Sequence, residues 1–210
     1  MDTEQHWRDV YSRKGEREVS WYQPHASQSM ESLTLAGVTA ESAVIDIGGG
    51  ASTLVDDLWQ SGFRDITVLD IAPEALQVAQ QRLLSDGRED AASGVTWLAG
   101  DITEVTLPER RYDVWHDRAV FHFLTAEDQR TRYLEQVART VRPGGLVLVA
   151  TFAKDGPEKC SGLEVCRYDA ADLHATFGDR YQLISHQRHS HATPWGAEQH
   201  FTWCLCRLNG

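Results

Sequence analysis

The segment Val44-Ile45-Asp46-Ile47-Gly48-Gly49-Gly50-Ala51-Ser52 constrains the fold more than any other stretch of the chain. A short apolar run leads into a glycine-rich turn and then an amphipathic stretch, Thr53–Gln60. That is the pattern of a buried strand turning directly into a helix. The alternation recurs downstream. Asp65–Asp70 predicts a second strand, Pro73–Leu84 a helix with its proline at the start, Val95–Ala99 a third strand and Tyr112–Trp115 a fourth. Ala126–Val141 predicts a long amphipathic helix ended by Pro143-Gly144-Gly145. Leu146–Phe152 is a fifth strand, apolar throughout and therefore buried on both faces. Upstream, Met30–Ala36 reads as a helix, and residues 1–30 are polar with spaced aromatics, Trp7, Tyr11, Trp21 and Tyr22. Beyond Phe152 a loop, 153–168, precedes a helix at Ala170–Phe177 with Asp169 as its N-cap. Two strand-like segments, Tyr181–His186 and His200–Arg207, end the chain. The expected fold is α/β and doubly wound: a mostly parallel seven-stranded sheet with helices on both faces and a C-terminal antiparallel hairpin. Residues 1–30 read as a cap or mobile lid on a single domain covering 31–210.

The charge balance narrows the function. Twenty Lys and Arg stand against 31 Asp and Glu in 210 residues, a net charge of −11. Nucleic-acid binding is disfavoured, because a phosphate-tracking protein needs a basic face. No apolar run of membrane-spanning length is present, so no membrane association is expected. The N-terminus lacks the apolar core of a secretory signal. Four cysteines, spaced Cys160-x5-Cys166 and Cys204-x-Cys206, form neither a disulfide framework nor a zinc pattern, which fits a reduced, cytoplasmic protein. His186, His189 and His191 with His200 match no standard ligand spacing, so no metal is expected.

Three acids stand at the carboxyl ends of successive strands. Asp46 lies in the glycine-rich segment, Asp70 closes the second strand 24 residues later, and Asp101 follows the third. Open α/β sheets bind ligands at these strand ends. An acid after the second strand can accept hydrogen bonds from ribose hydroxyls, and Asp101 can accept from an exocyclic adenine amine while Ile102 packs on the ring. Each acid alone could serve as a cap; the three together point to a nucleoside ligand. The turn reads Asp-x-Gly-x-Gly. The third glycine of a dinucleotide fingerprint would fall at Thr53 and is missing, which disfavours a dehydrogenase.

Asp46-Ile47-Gly48-Gly49-Gly50, Leu69-Asp70, Gly100-Asp101, Tyr112-Asp113-Val114-Trp115 and Arg142-Pro143-Gly144-Gly145 together resemble the motifs of class I, Rossmann-like S-adenosylmethionine-dependent methyltransferases. The resemblance implies S-adenosyl-L-methionine as cofactor. By it, Asp46, Gly48, Gly49 and Gly50 would line the methionine moiety, Asp70 and Ile71 the ribose, Asp101 and Ile102 the adenine, and Trp21 would cover the cofactor. Ser52 stands where many members carry a glycine.

On the substrate side, Trp115-His116-Asp117-Arg118-Ala119 resembles the Trp-Asp-Arg-Gly element of thiopurine and metalloid methyltransferases, with His116 inserted and Ala119 in place of glycine. The aromatics Trp7, Tyr11, Trp21 and Tyr22 resemble the N-terminal pattern of elongation-factor lysine methyltransferases, whose later Asp-Lys-Gly-Thr is here Asp117-Arg118-Ala119-Val120. His116, Asp117, Arg118 and His122 are the candidate catalytic residues. A helix starting near Asp117 would put Arg118 and His122 on one face, the arginine holding a substrate anion and the histidine handling a proton. The alternative is a structural ion pair between Asp117 and Arg118 and a packed core position for His122. Methyl transfer to a small-molecule nucleophile is the leading expectation, with a protein lysine as the other substrate class and a non-catalytic scaffold as the remaining one.

Overall fold

Val44–Ile47 form β1, buried at all four positions including Asp46. A strand buried on both faces belongs inside a parallel sheet. β1 pairs in parallel with β2 (Ile66–Asp70), and β2 in parallel with β3 (Thr96–Ala99). The computed structural model describes residues 3–210. Ahead of β1 lie α1 (Thr3–Arg13) and α2 (Ser27–Leu35). The expected boundary between cap and domain, at residue 30, falls inside α2. Helix α3 (Leu54–Gln60) joins β1 to β2, and α4 (Pro73–Ser85) with α5 (Glu89–Gly94) joins β2 to β3. In α4, Pro73 stands at the first turn, where its missing N–H is not needed. Ala75, Leu76, Ala79 and Leu83 form the buried face. These elements make up one compact unit, ending at Ile102.

The second unit begins at Thr103. It contains β4 (Tyr112–Arg118), α6 (Glu127–Thr140), β5 (Val141–Phe152), a small hairpin of β6 (Lys159–Cys160) and β7 (Leu163–Glu164), α7 (Ala170–Phe177), β8 (Tyr181–Ala192) and β9 (Glu198–Leu208). β4 runs parallel to β5, β9 antiparallel to β5, and β8 antiparallel to β9. The strand order is β3-β2-β1-β4-β5-β9-β8, the doubly wound, mostly parallel arrangement with its antiparallel end. Asp169 caps α7 as expected, its Oδ1 accepting from Asp172 N at 2.9 Å.

Three boundaries differ from the sequence expectation. β4 runs on through Arg118, and no helix starts at Asp117. Instead a short 3-10 turn spans Phe121–Phe123, and α6 begins only at Glu127. β5 starts at Val141, and Gly144, at φ +81°, absorbs the register shift opposite Tyr112 and Val114 inside the strand. β8 extends to Ala192, because it pairs with β9 along nearly its whole length. Among the described residues no helix is long and apolar enough to cross a membrane.

Candidate functional site

The first unit builds its site from the glycine-rich turn. Gly48 adopts φ +65°, a conformation that favours glycine. Gly49 N–H donates to Leu69 O at 3.2 Å, tying the turn to β2. A Cβ on Gly49 would collide with the Asp46 carboxylate and approach Val68 Cγ1 to 2.8 Å; one on Gly50 would collide with the Asp70 carboxylate and approach the Ala75 methyl to 2.6 Å. The turn is thus pressed onto the two acids. Asp70 is 5% exposed, and its Oδ1 accepts from Ala72 N at 2.9 Å. Burial pushes its pKa up to about 7, and the Asp46 charge adds to this, while bonds from the Ala72 and Gly50 amides oppose it. Ile71, half-buried, follows directly. Asp101, half-buried, and Ile102, buried, lie just past the carboxyl end of β3, whose last residue is Ala99.

This chemistry fits S-adenosylmethionine. Buried carboxylates suit hydroxyl and amine donors and a cationic sulfonium, and they would repel a pyrophosphate. The N-terminal segment belongs to the same unit. Trp7, Tyr11 and Trp21 form an aromatic cluster with ring centroids 5.7 to 6.3 Å apart. α1 docks on α4 through Arg8 and Glu74, with Nη2 and Oε1 3.0 Å apart.

In the second unit the carboxyl end of β4 is organised by Asp117, which is fully buried. Its Oδ1 accepts from Val120 N at 2.9 Å, and its Oδ2 from Phe121 N at 3.0 Å and Tyr133 Oη at 2.6 Å. Trp115 Nε1 donates in turn to Tyr133 Oη at 2.8 Å. Burial raises the Asp117 pKa to about 6 against the pull of these bonds. Ala119 is held in the left-handed region, φ +74°. His116 is buried, and Arg118 is half-buried with its guanidinium carbon 5.5 Å from the Phe201 ring centroid.

A family described as Methyltransferase domain matches residues 44–145. The eEF1A lysine and N-terminal methyltransferase homolog of Drosophila melanogaster is 27% identical over 146 residues, 67% of this chain and 21% of the relative. The malonyl-acyl-carrier-protein O-methyltransferase of Serratia marcescens is 26% identical over 149 residues, covering 71% of this chain and 47% of the relative. Residues 44–145 thus match a methyltransferase domain. The chain spans about a fifth of the fly protein's length and about half of the bacterial one's. A solved structure described by the conversion of a disulfide bond into a thioacetal group during echinomycin biosynthesis shares the fold of this chain, with TM-score 0.77 and 19% identity over 99% of this chain and 93% of the other.

Two expectations for the end of β4 are corrected. Arg118 and His122 share no helical face, because the strand continues through Arg118. His122 is not placed to take a proton near neutrality. It is fully buried between Phe123 and Phe152, and its Nδ1 accepts from Phe152 N at 3.3 Å. Burial first, then the Arg118 charge, lowers its pKa to about 3. Asp117 accepts hydrogen bonds from the turn that follows and from Tyr133. Sequence reasoning missed Tyr133, whose hydroxyl links Trp115 to Asp117, and Arg82, a guanidinium at the glycine-rich turn. Arg82 had a visible signal: positions 75, 79 and 82 share a helix face, so a charge there needs buried partners.

Proposed function

We propose that this methyltransferase domain transfers the methyl group of S-adenosylmethionine to a small-molecule nucleophile. Asp46, the 48–50 turn, Asp70, Ile71, Asp101 and Ile102 are the residues that would hold the cofactor, with Trp21 covering it. Bound there, the cofactor supplies an electrophilic methyl group on a sulfonium. The observation that carries the substrate class is the loop after β5. Cys166 N–H donates to His122 O at 2.8 Å and Tyr168 N–H to Phe152 O at 3.0 Å. Arg130 Nη1 donates to Leu124 O and Thr125 O, both at 2.9 Å, on the same turn. The loop is therefore fastened across the carboxyl ends of β4 and β5, the side on which this fold takes its ligands. A fastened cover suits a small acceptor better than a folded protein. Arg118, at the end of β4, supplies positive charge for an anionic or lone-pair nucleophile. With Asp117 and His122 committed internally, the rate would come from positioning and exclusion of water rather than from a strong base.

The relatedness to eEF1A lysine methyltransferases, 27% over 67% of this chain for the fly protein, supports a second reading, a protein lysine acceptor. A tritiated-methyl transfer assay on fractionated cell metabolites and, in parallel, on size-excluded proteins separates the two. Label in the metabolite fraction is expected; label confined to protein would overturn the small-molecule reading.

A further inference from the structure

Arg82 uses every donor of its guanidinium. Nε and Nη2 reach Asp56 Oδ2 at 3.2 and 2.6 Å, and Nη2 also donates to Ser52 O at 2.7 Å. Nη1 donates to Ala51 O at 3.1 Å and to Glu16 Oε2 at 2.8 Å. The side chain is 13% exposed, and Asp56 and Glu16 are 9% and 22% exposed. One planar fork thus grips three things: the carbonyls where the glycine-rich turn enters α3, a carboxylate on α3, and Glu16 in the segment between α1 and α2. A second tie lies beside it. Thr53 Oγ1, where a dinucleotide fingerprint would have its third glycine, donates to Gln23 O at 3.1 Å. A third follows, with Asp57 Oδ2 accepting from Ala26 N at 2.6 Å and Oδ1 2.9 Å from His25 Nδ1. Residues 16–26, which carry Trp21, are therefore stapled to the turn and α3 and not merely laid over them.

We propose that Arg82 is a positioning residue of the cofactor site, coupling the Trp21-bearing segment to the glycine-rich turn so that a ligand on the turn orders residues 16–26 and that ordering tightens the ligand. The proposal rests on the cofactor reading above. The coupling is reciprocal by linkage: whatever the ligand gains from the docked segment, the segment gains from the ligand. Glu16 is the separable arm, because its removal leaves the Arg82 bonds to Ala51, Ser52 and Asp56 in place.

The experiment measures S-adenosylhomocysteine affinity by calorimetry and amide hydrogen exchange of residues 16–26, with and without that ligand, in wild type, Glu16→Gln and Arg82→Lys. In wild type the ligand is expected to slow exchange across 16–26. Glu16→Gln should remove most of that ligand-induced slowing and weaken binding about threefold to tenfold, with the ligand-free melting temperature little changed. Arg82→Lys keeps the charge but loses the fork, and should weaken binding by about tenfold or more. A purely structural Glu16 would instead speed exchange equally with and without ligand and leave affinity alone, and that result overturns the coupling. Wild type failing to bind S-adenosylhomocysteine would overturn the cofactor reading and the coupling with it. Normal wild-type binding with an unaffected Glu16→Gln overturns the coupling only.

Discussion

Ala119 sits at φ +74° directly after β4, where its backbone N–H donates to Ala150 O at 2.9 Å. A left-handed alanine costs roughly 1–2 kcal/mol through its Cβ, and glycine escapes that cost while losing some entropy on folding. The sequence patterns this segment resembles carry glycine here, and the positive φ gives the physical reason. Ala119→Gly is expected to raise stability by about 0.5–1 kcal/mol in urea unfolding; a loss would show that the Cβ makes packing contacts worth more than the strain. On the proposed cofactor reading, Asp70 would carry the pH dependence of ligand binding. Its pKa is raised to about 7 in the folded chain from 3.8, so the folded state holds a proton that the unfolded state has lost. Stability from this group therefore falls as pH rises from about 4 to 7. Ribose hydroxyls donate to the ionised form, so affinity for S-adenosylhomocysteine moves the other way. It should rise by up to about tenfold per pH unit below 7 and level off above. Calorimetry between pH 5.5 and 8.5 checks this, with Asp70→Ala expected to bind roughly tenfold to a hundredfold more weakly and to lose the slope. A pH-independent affinity in wild type would remove Asp70 from the ligand.

The turn between β4 and α6 is an element built around one buried carboxylate. Truncating Asp117 leaves Val120 N, Phe121 N and Tyr133 Oη without their acceptor, so Asp117→Ala is expected to cost about 2–4 kcal/mol in denaturant unfolding. His122→Ala removes a ring packed between Phe123 and Phe152 and should likewise register as lost stability, without shifting the pH profile of turnover. A shifted profile with unchanged stability would return His122 to the chemistry. These outcomes mark where the sequence stopped being legible. The strand, turn and helix at 44–60 and the acids at strand ends were readable, because periodicity and glycine spacing are local. The end of β4 was not. Whether residues 117–122 continue a strand or begin a helix depends on pairing with β5, residues far along the chain, and on Tyr133 reaching back from α6. The same limit hid the staples on the N-terminal segment. Trp7 and Tyr11 announced a helical turn, but only the fold shows Trp21 joining them.

At the scale of the whole molecule, the net charge of −11 gives a way to tell the two acceptor classes apart without knowing the acceptor. A negatively charged protein draws a basic macromolecule from a distance, and salt screens that attraction with a Debye length of about 10 Å at 0.1 M and about 3 Å at 1 M. If the acceptor were a lysine-rich protein, kcat/KM should fall steeply between low and high salt, because long-range steering sets much of the encounter rate. A small acceptor gains little from that field, and an anionic one is repelled by it, so screening leaves its kcat/KM flat or raises it. On the proposed reading, the positive charge of half-buried Arg118 would act over a few ångströms and be screened far less. For methyl transfer to the active metabolite fraction, we expect kcat/KM to change by less than about threefold, or to rise, between 0.05 and 0.5 M salt. S-adenosylhomocysteine affinity, measured alongside, corrects for any salt effect on the cofactor. A drop of about tenfold or more in kcat/KM, with that affinity unchanged, would mean that the acceptor is recognised through the acidic surface, and would favour the protein substrate.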